Sequence, residues 1–136
     1  MNLNIQALTE TDYDSILVNW WNDWRFTPPS KDFLPNNGIG GYMVYDDKIP
    51  VCAGFMYLTN SKIVWCDWII SNFKYKNKKN RKEAITFLIK TMTEIAKITD
   101  KKYVFANNTN KFLINIFKEN GFNVGSKNQT ELVFNI

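Results

Sequence analysis

The feature that most constrains the fold is a continuous stretch over residues 63–98, in which three physically different segments follow one another. It opens with the apolar run IVWCDWII, passes through the basic segment KYKNKKNRK and continues as AITFLIKTMTEIAKI. The first segment is short, rich in β-branched and aromatic residues and apolar on both faces, as a central buried strand is. The last carries Ala84, Leu88, Met92 and Ile95, flanked by Ile85, Phe87, Ile89 and Ala96. That spacing predicts an amphipathic helix beginning near Arg81 and ending near Thr99 and Asp100. The first turn of a helix presents unpaired N–H groups and the positive end of the macrodipole. A basic loop feeding such a turn predicts an anion site of the kind that holds phosphate.

The charge is local. Six of the 17 basic residues, Lys74, Lys76, Lys78, Lys79, Arg81 and Lys82, lie in that loop with no acidic residue among them. Elsewhere 11 basic residues face 13 acidic ones, so the chain lacks the broad basic surface of a nucleic-acid coat, and no nucleic-acid partner is expected. A solvated lysine-rich loop is the alternative meaning of such a run.

At 136 residues and 45% hydrophobic content, the chain is expected to form one domain over residues 1–136. No apolar run approaches the ~20 residues that span a bilayer, so no membrane partner is expected. The N-terminus lacks the pattern of a signal peptide, which favours the cytoplasm. Cys52 and Cys66 sit in apolar runs and read as buried free thiols. With no histidine and two cysteines, the chain offers neither a metal cluster nor a Ser–His or Cys–His nucleophile.

Taken in order, residues 3–8 read as a short strand, and Thr9 or Thr11 can cap a helix running to about Trp24. Its apolar stripe, Ile16, Leu17, Trp20, Trp21 and Trp24, contains three tryptophans within five residues. Core packing accounts for most of such a stripe, with part of it left for a pocket or partner surface. The proline- and glycine-rich segment TPPSKDFLPNNGIGG forbids a long helix or central strand and is expected to form a loop walling the substrate side. Strands over residues 41–45, 51–58 and 63–70, joined by short turns, predict an antiparallel meander. A strand over residues 103–106 follows the long helix, giving a parallel strand–helix–strand crossover. Thr109 or Asn108 is expected to cap a second helix bearing Phe112, Leu113, Ile116 and Phe117, with Gly121 as its left-handed end. Residues 122–124 and 132–136 are expected to close the sheet as a pair of strands. The fold class is therefore α/β (α+β), with a mixed central sheet and helices on both faces.

Asp67 stands out within the apolar strand. Alternation places Trp65, Asp67, Ile69 and Ser71 on one face and Val64, Cys66, Trp68 and Ile70 on the other. A buried, unpaired carboxylate is costly, so Asp67 must be paired, solvated in a cleft or shifted in pKa. In a cleft it can accept a proton from an amine; as a structural residue it pairs with a lysine or a backbone donor.

This order of elements resembles the GNAT N-acetyltransferase superfamily over essentially the whole chain, and in particular small GNAT-like proteins of phage and low-GC bacterial genomes. NKFLINIFKENGF, residues 110–122, is similar to the family segment N-x-x-a-x-x-l-Y-e-k-x-G-F. KNRKEAITFLI, residues 79–89, stands where the family has its pyrophosphate loop, Q/R-x-x-G-x-G/A, leading into a helix. The resemblance implies a GNAT-like fold that binds acetyl-coenzyme A and moves its acetyl group to an amine of a small molecule or protein, as a monomer or homodimer. It implies that Ile69, Ile70 and Ser71 bond the pantetheine arm through their backbone and that Lys79, Asn80, Arg81, Lys82 and Ala84 surround the pyrophosphate. Asn110 matches the family asparagine that contacts the cofactor. It further implies an oxyanion-stabilising backbone N–H near Ile70, and Asp67 is assigned as the base.

Two positions depart from the family. Lys82 replaces the first loop glycine, so cationic side chains must hold phosphate where backbone amides otherwise would. Phe117 stands where many members have the tyrosine that serves as general acid, leaving Tyr42, Tyr45, Tyr57, Tyr75 or solvent for that role. These departures keep open a GNAT-like binding module without catalysis, and more remotely a nucleic-acid-binding domain.

Overall fold

The computed structural model describes residues Met1–Ile136. Five strands form one sheet in sequence order: β1 (Leu3–Ala7), β2 (Gly41–Asp46), β3 (Ile49–Leu58), β4 (Ile63–Ser71) and β5 (Tyr103–Phe105). β1 to β4 pair antiparallel, as short connections demand, and β4 pairs parallel with β5 through the crossover helix α2 (Lys78–Ile98). Helix α1 (Val18–Asp23) follows a π-helical turn at Tyr13–Leu17, and α3 (Lys111–Glu119) follows β5. No helix is long and apolar enough to cross a membrane.

The sheet separates two cores. On one face α2 and α3 bury Leu88, Met92, Ile116 and Phe117 against Val44, Val64 and Cys66. On the other, Leu17, Trp20 and Trp21 pack on Met43, Ala53, Phe55 and Ile70. The tryptophan stripe thus splits: Trp20 and Trp21 are core, whereas Trp24 is only half-buried. The mixed sheet and flanking helices agree with the architecture expected from the sequence.

Several local features differ from expectation. The side chain of Asn77 accepts from Asn80 N, so α2 begins about one turn before Arg81 and absorbs the basic segment into its first turns. Asn110, rather than Thr109 or Asn108, caps α3 by accepting from the Phe112 and Leu113 amides. Gly121 ends α3 with φ of 90°, and the Phe122 amide reaches back to Phe117 O, as a Schellman ending requires. Residues 123–136 form no strands: all are exposed, and none makes a backbone hydrogen bond to β5. The period-two pattern is present there, but strands need a partner edge, and within one chain this segment does not meet one.

A further difference lies within β4. Ala53 pairs with Ile70 and Phe55 with Asp67, so Trp68 and Ile69 together oppose Gly54. Trp68 takes up this bulge with φ of 58°, in the left-handed region. One inserted residue reverses the alternation beyond it. Asp67 and Trp68 therefore both belong to the α1 face, while Ile69 packs on the α2 side and Ile70 on the α1 side. Gly54 is the residue that admits the bulge: a Cβ there would lie 3.2 Å from both Ile69 Cγ1 and Leu88 Cδ2.

Candidate active site

β5 pairs with β4 only from Ile63 to Trp65. Beyond Trp65 the two parallel strands part, and the β5-facing edge of β4 from Cys66 to Ser71 has no ladder partner. Ligand sites favour the carboxyl ends of parallel strands, where such an opening leaves backbone polar groups free. Here the opening is a cleft of about 290 Å³. Ile69, Ile70 and Ser71 form its floor, Arg81 and Ile85 of α2 one wall, and residues 108–113 the other. Trp24 and Phe26, beyond the end of α1, close the third side.

Arg81 is the cation of this cleft. It forms no salt bridge; one Nη donates to Asn72 O at 3.3 Å and to Tyr75 O, while its Nε is buried without a partner. Its guanidinium carbon lies 5.5 Å from the centroid of the Trp24 ring, within cation–π range. Burial lowers its pKa, but an arginine remains charged. An unneutralised guanidinium with an unpaired buried N–H fits an anionic group such as phosphate. Trp24 also fixes the floor, since its indole N–H donates to Ser71 O at 2.8 Å. That carbonyl is consequently already engaged, leaving Ile69 and Ile70 as the freer backbone of the strand end.

Of the residues singled out in the sequence, Ile69, Ile70, Ser71, Arg81 and Asn110 meet around the cleft. The side-chain oxygen of Asn110 is occupied in capping α3, which leaves its amide nitrogen as the available donor. Lys79, Asn80, Lys82 and Ala84 lie outside the lining. Lys79 projects from the first turn of α2 as an exposed cation, and the Asn80 amide is satisfied by Asn77. Lys82 is 3.1 Å from Glu119 in an ion pair to α3. Ala84 is fully buried in the core between α2 and the sheet. The earlier helix start explains this: in a formed helix, residues 79–84 point in all directions instead of wrapping one ligand. Trp24, Phe26, Ile85, Asn108, Thr109, Phe112 and Leu113 complete the lining; of these, only Trp24 belongs to a stripe that the sequence leaves partly for a pocket.

Asp67 does not line this cleft. It stands on the α1 face of β4, half-buried, with its Oδ1 accepting from the Trp68 amide at 2.7 Å. Burial raises its pKa above the usual carboxylate range; the Trp68 amide opposes this, and nearby Glu131 raises it further. The Trp65 indole also favours the charged form electrostatically, although its N–H falls outside hydrogen-bonding geometry and has no partner. Tyr57 is beside this carboxylate, with its hydroxyl donating to Phe33 O at 3.0 Å and accepting from Trp68 Nε1 at 2.9 Å. The expected loop thus reaches this face through Phe33, whose ring meets Trp68 edge-on at 6.0 Å.

None of the four tyrosines considered as proton donors lines the cleft; Tyr75, for one, donates to Asp46 at 2.8 Å. Phe117 is a core residue, buried against Phe122 with ring centroids 4.9 Å apart. The cysteines are inert by burial, which pushes the Cys66 thiol up to about 12 and Cys52 higher still.

No family model matches the chain. No curated protein matches it. Solved structures do, over nearly its full length. A GNAT family acetyltransferase from Staphylococcus aureus is 13% identical with a TM-score of 0.63, covering 98% of this chain and 100% of its own. The ribosomal-protein-S18-alanine N-acetyltransferase of Escherichia coli is 14% identical with a TM-score of 0.67, covering 91% and 79%. N-acetylglutamate synthase from Neisseria gonorrhoeae, solved with coenzyme A and N-acetyl-glutamate, is 13% identical with a TM-score of 0.67, covering 93% of this chain and 29% of its own. The chain has a GNAT-like fold.

Proposed function

We propose that this chain binds acetyl-coenzyme A along the cleft and transfers the acetyl group to an amine. The observation that carries the reading is the junction, in one opening, of the unladdered end of β4 with a guanidinium that has no carboxylate partner. The GNAT-like fold and the coenzyme A held by a protein of similar fold support it.

When bound, acetyl-coenzyme A supplies an acyl group activated as a thioester, together with anionic phosphates. Arg81 would hold a phosphate oxygen through its free N–H groups, assisted by the exposed first-turn cations Lys78 and Lys79. The Ile69 and Ile70 backbone would align the ligand's amide-bearing arm as an added strand, and the Asn110 amide nitrogen would donate from the opposite wall. An amine acceptor would approach from the α1 face, where Asp67 accepts its proton; a pKa raised by burial moves this group toward the working range of a general base. Orientation then accounts for most of what the protein contributes. For the departing sulfur, the side chains in reach of the cleft are Ser71 and Thr109, and solvent is the remaining proton source.

The experiment is a melting curve with acetyl-coenzyme A, paired with thiol release in the presence of a panel of amines. A ligand at about 100 times its Kd stabilises the native state by ~2.7 kcal/mol. A melting temperature unmoved at millimolar acetyl-coenzyme A would contradict the reading. A second reading, a module that binds the ligand without turnover, is favoured by the burial of Phe117 and the absence of a tyrosine in the cleft. It predicts stabilisation with no amine-dependent thiol release.

A further inference from the structure

Four aromatic side chains, Phe33, Tyr57, Trp65 and Phe105, belong to neither hydrophobic core. They gather instead on the α1 face of the sheet. Val64, Cys66, Val104 and Ala106 pack toward α2, so alternation turns Trp65 and Phe105 to the opposite face, where their rings meet at 4.8 Å. Tyr57 is the register partner of Trp65 on β3 and shares that face. Its hydroxyl accepts from Trp68 Nε1 at 2.9 Å, and Trp68 meets Phe33 edge-on with centroids 6.0 Å apart. These rings make one continuous band, and Asp67 stands within it, between Trp65 and Trp68 in the chain. Phe33 and Phe105 are 46% and 42% exposed, so the band is open to a ligand.

The carboxylate inside this band has no counter-ion. Asp67 joins none of the salt bridges, and its one hydrogen bond is the Trp68 amide on Oδ1. Oδ2 accepts from nothing in the chain and keeps contact with solvent. The charge that bears on it is that of Glu131, which is negative as well. An acceptor carrying a carboxylate or phosphate beside its amine would meet repulsion there with no cation to offset it. An ammonium would meet a free carboxylate oxygen flanked by ring faces, and an apolar body would cover the rings. A polyamine fits less well, because Glu131 is fully solvated and offers no sheltered partner for a second ammonium. We infer that the acceptor is a small primary amine bearing an aromatic ring and no acidic group, an arylalkylamine, with its ammonium on Asp67 Oδ2 and its ring against Trp65, Tyr57 and Phe33. Asp67 lies three residues before Ile70, which floors the cleft, so the bound nitrogen is held at the edge of that opening. Its role as acceptor rests on the acetyl-transfer reading of the cleft; the binding itself does not.

The test uses the full chain, titrated with 2-phenylethylammonium, L-phenylalanine, butylammonium and spermidine while the tryptophan indole N–H resonances are followed. Without acetyl-coenzyme A, phenylethylammonium should shift the Trp65 and Trp68 signals saturably and bind at least about tenfold more tightly than each of the others. Asp67→Asn should weaken it by about tenfold or more, and Phe33→Leu by roughly 3- to 10-fold, with a smaller effect on butylammonium. With acetyl-coenzyme A present, thiol release should follow the same order in kcat/KM, and Phe33→Leu should act on KM for phenylethylamine more than on kcat. L-Phenylalanine or spermidine binding as tightly as phenylethylammonium, or an Asp67→Asn variant that binds it unchanged, overturns the proposal. The two readings fail separately. Phenylethylammonium binding with no response to acetyl-coenzyme A removes the transfer reading and leaves the amine site standing; acetyl-coenzyme A binding without any preference among the amines does the reverse.

Discussion

Arg81 and Trp24 are locked together at the mouth of the cleft, with the guanidinium carbon 5.5 Å from the ring centroid and the same indole donating to Ser71 O at 2.8 Å. One contact sequence therefore ties the end of α1, the end of β4 and the first turn of α2. Phe73 meets Trp24 edge-on at 4.8 Å and carries Lys76 over its ring at 3.9 Å, extending the cationic side of the cleft into the connecting loop.

Replacing Arg81 by methionine keeps much of the apolar stem and removes the cation. A charge-assisted hydrogen bond contributes ~1.5–3 kcal/mol, so coenzyme A affinity should fall by roughly 10- to 150-fold. Isothermal titration at low and high salt checks this, and the variant should also show the weaker salt dependence. Arg81→Lys should recover only part of the affinity, because lysine lacks the planar fork.

Asp67 makes a prediction with opposite signs for stability and activity. Its folded-state pKa is raised above the unfolded value, mainly by burial. The folded protein then holds this proton more tightly than the unfolded chain, and stability falls as pH rises from the unfolded pKa, about 3.9, through the folded one. Above that window the penalty is present in full; below it the penalty vanishes. Asp67→Asn keeps an oxygen for the Trp68 amide and should raise the melting temperature by roughly 2–5 °C at pH 7, a gain that closes near pH 4. If Asp67 is the base, the same variant loses amine-dependent thiol release by about 100-fold or more.

The bulge at Trp68 rests on Gly54. A Cβ at residue 54 would stand 3.2 Å from Ile69 Cγ1 and Leu88 Cδ2 and 3.4 Å from Met92 Cε. Those are side-chain atoms that can move by a few tenths of an ångström, so Gly54→Ala should fold. It should cost about 1–3 kcal/mol by overpacking, read as a lower denaturant midpoint, and weaken coenzyme A binding because Ile69 floors the cleft.

Phe117→Tyr separates a core residue from a latent proton donor. The ring is 7% exposed and packed on Phe122 within the larger hydrophobic core. A hydroxyl placed there is taken out of water, so the variant should lose about 1–3 kcal/mol of stability. Its rate of thiol release per folded molecule should match that of the parent.

What the sequence made legible follows the strength of its patterns. The stripe from Ala84 to Ala96 has no competing reading, and the apolar strand before it could only be central, so the strand–helix–strand crossover was readable. The cap at Asn110 was mistaken for its neighbours because Asn108, Thr109 and Asn110 are all capping residues, and the choice depends on where β5 ends. The bulge was hidden, since a tryptophan gives no sign that it adopts φ of 58°, and that single residue reversed the faces of Ile69 and Ile70. The terminal segment was misread as a closing strand pair: its residues alternate, but alternation does not supply a partner edge, and residues 123–136 pair with none.

If coenzyme A lies in the opening between β4, α2 and α3, amide chemical-shift mapping during a titration with it will locate it there residue by residue. Saturable shifts should centre on residues 69–71, 78–81 and 108–113, and in Arg81→Met they should no longer saturate at the same concentrations. No shifts at millimolar ligand would contradict it. So would shifts confined to the polar surface recess formed by Thr59, Ser61, Lys62, Asp100 and Lys101.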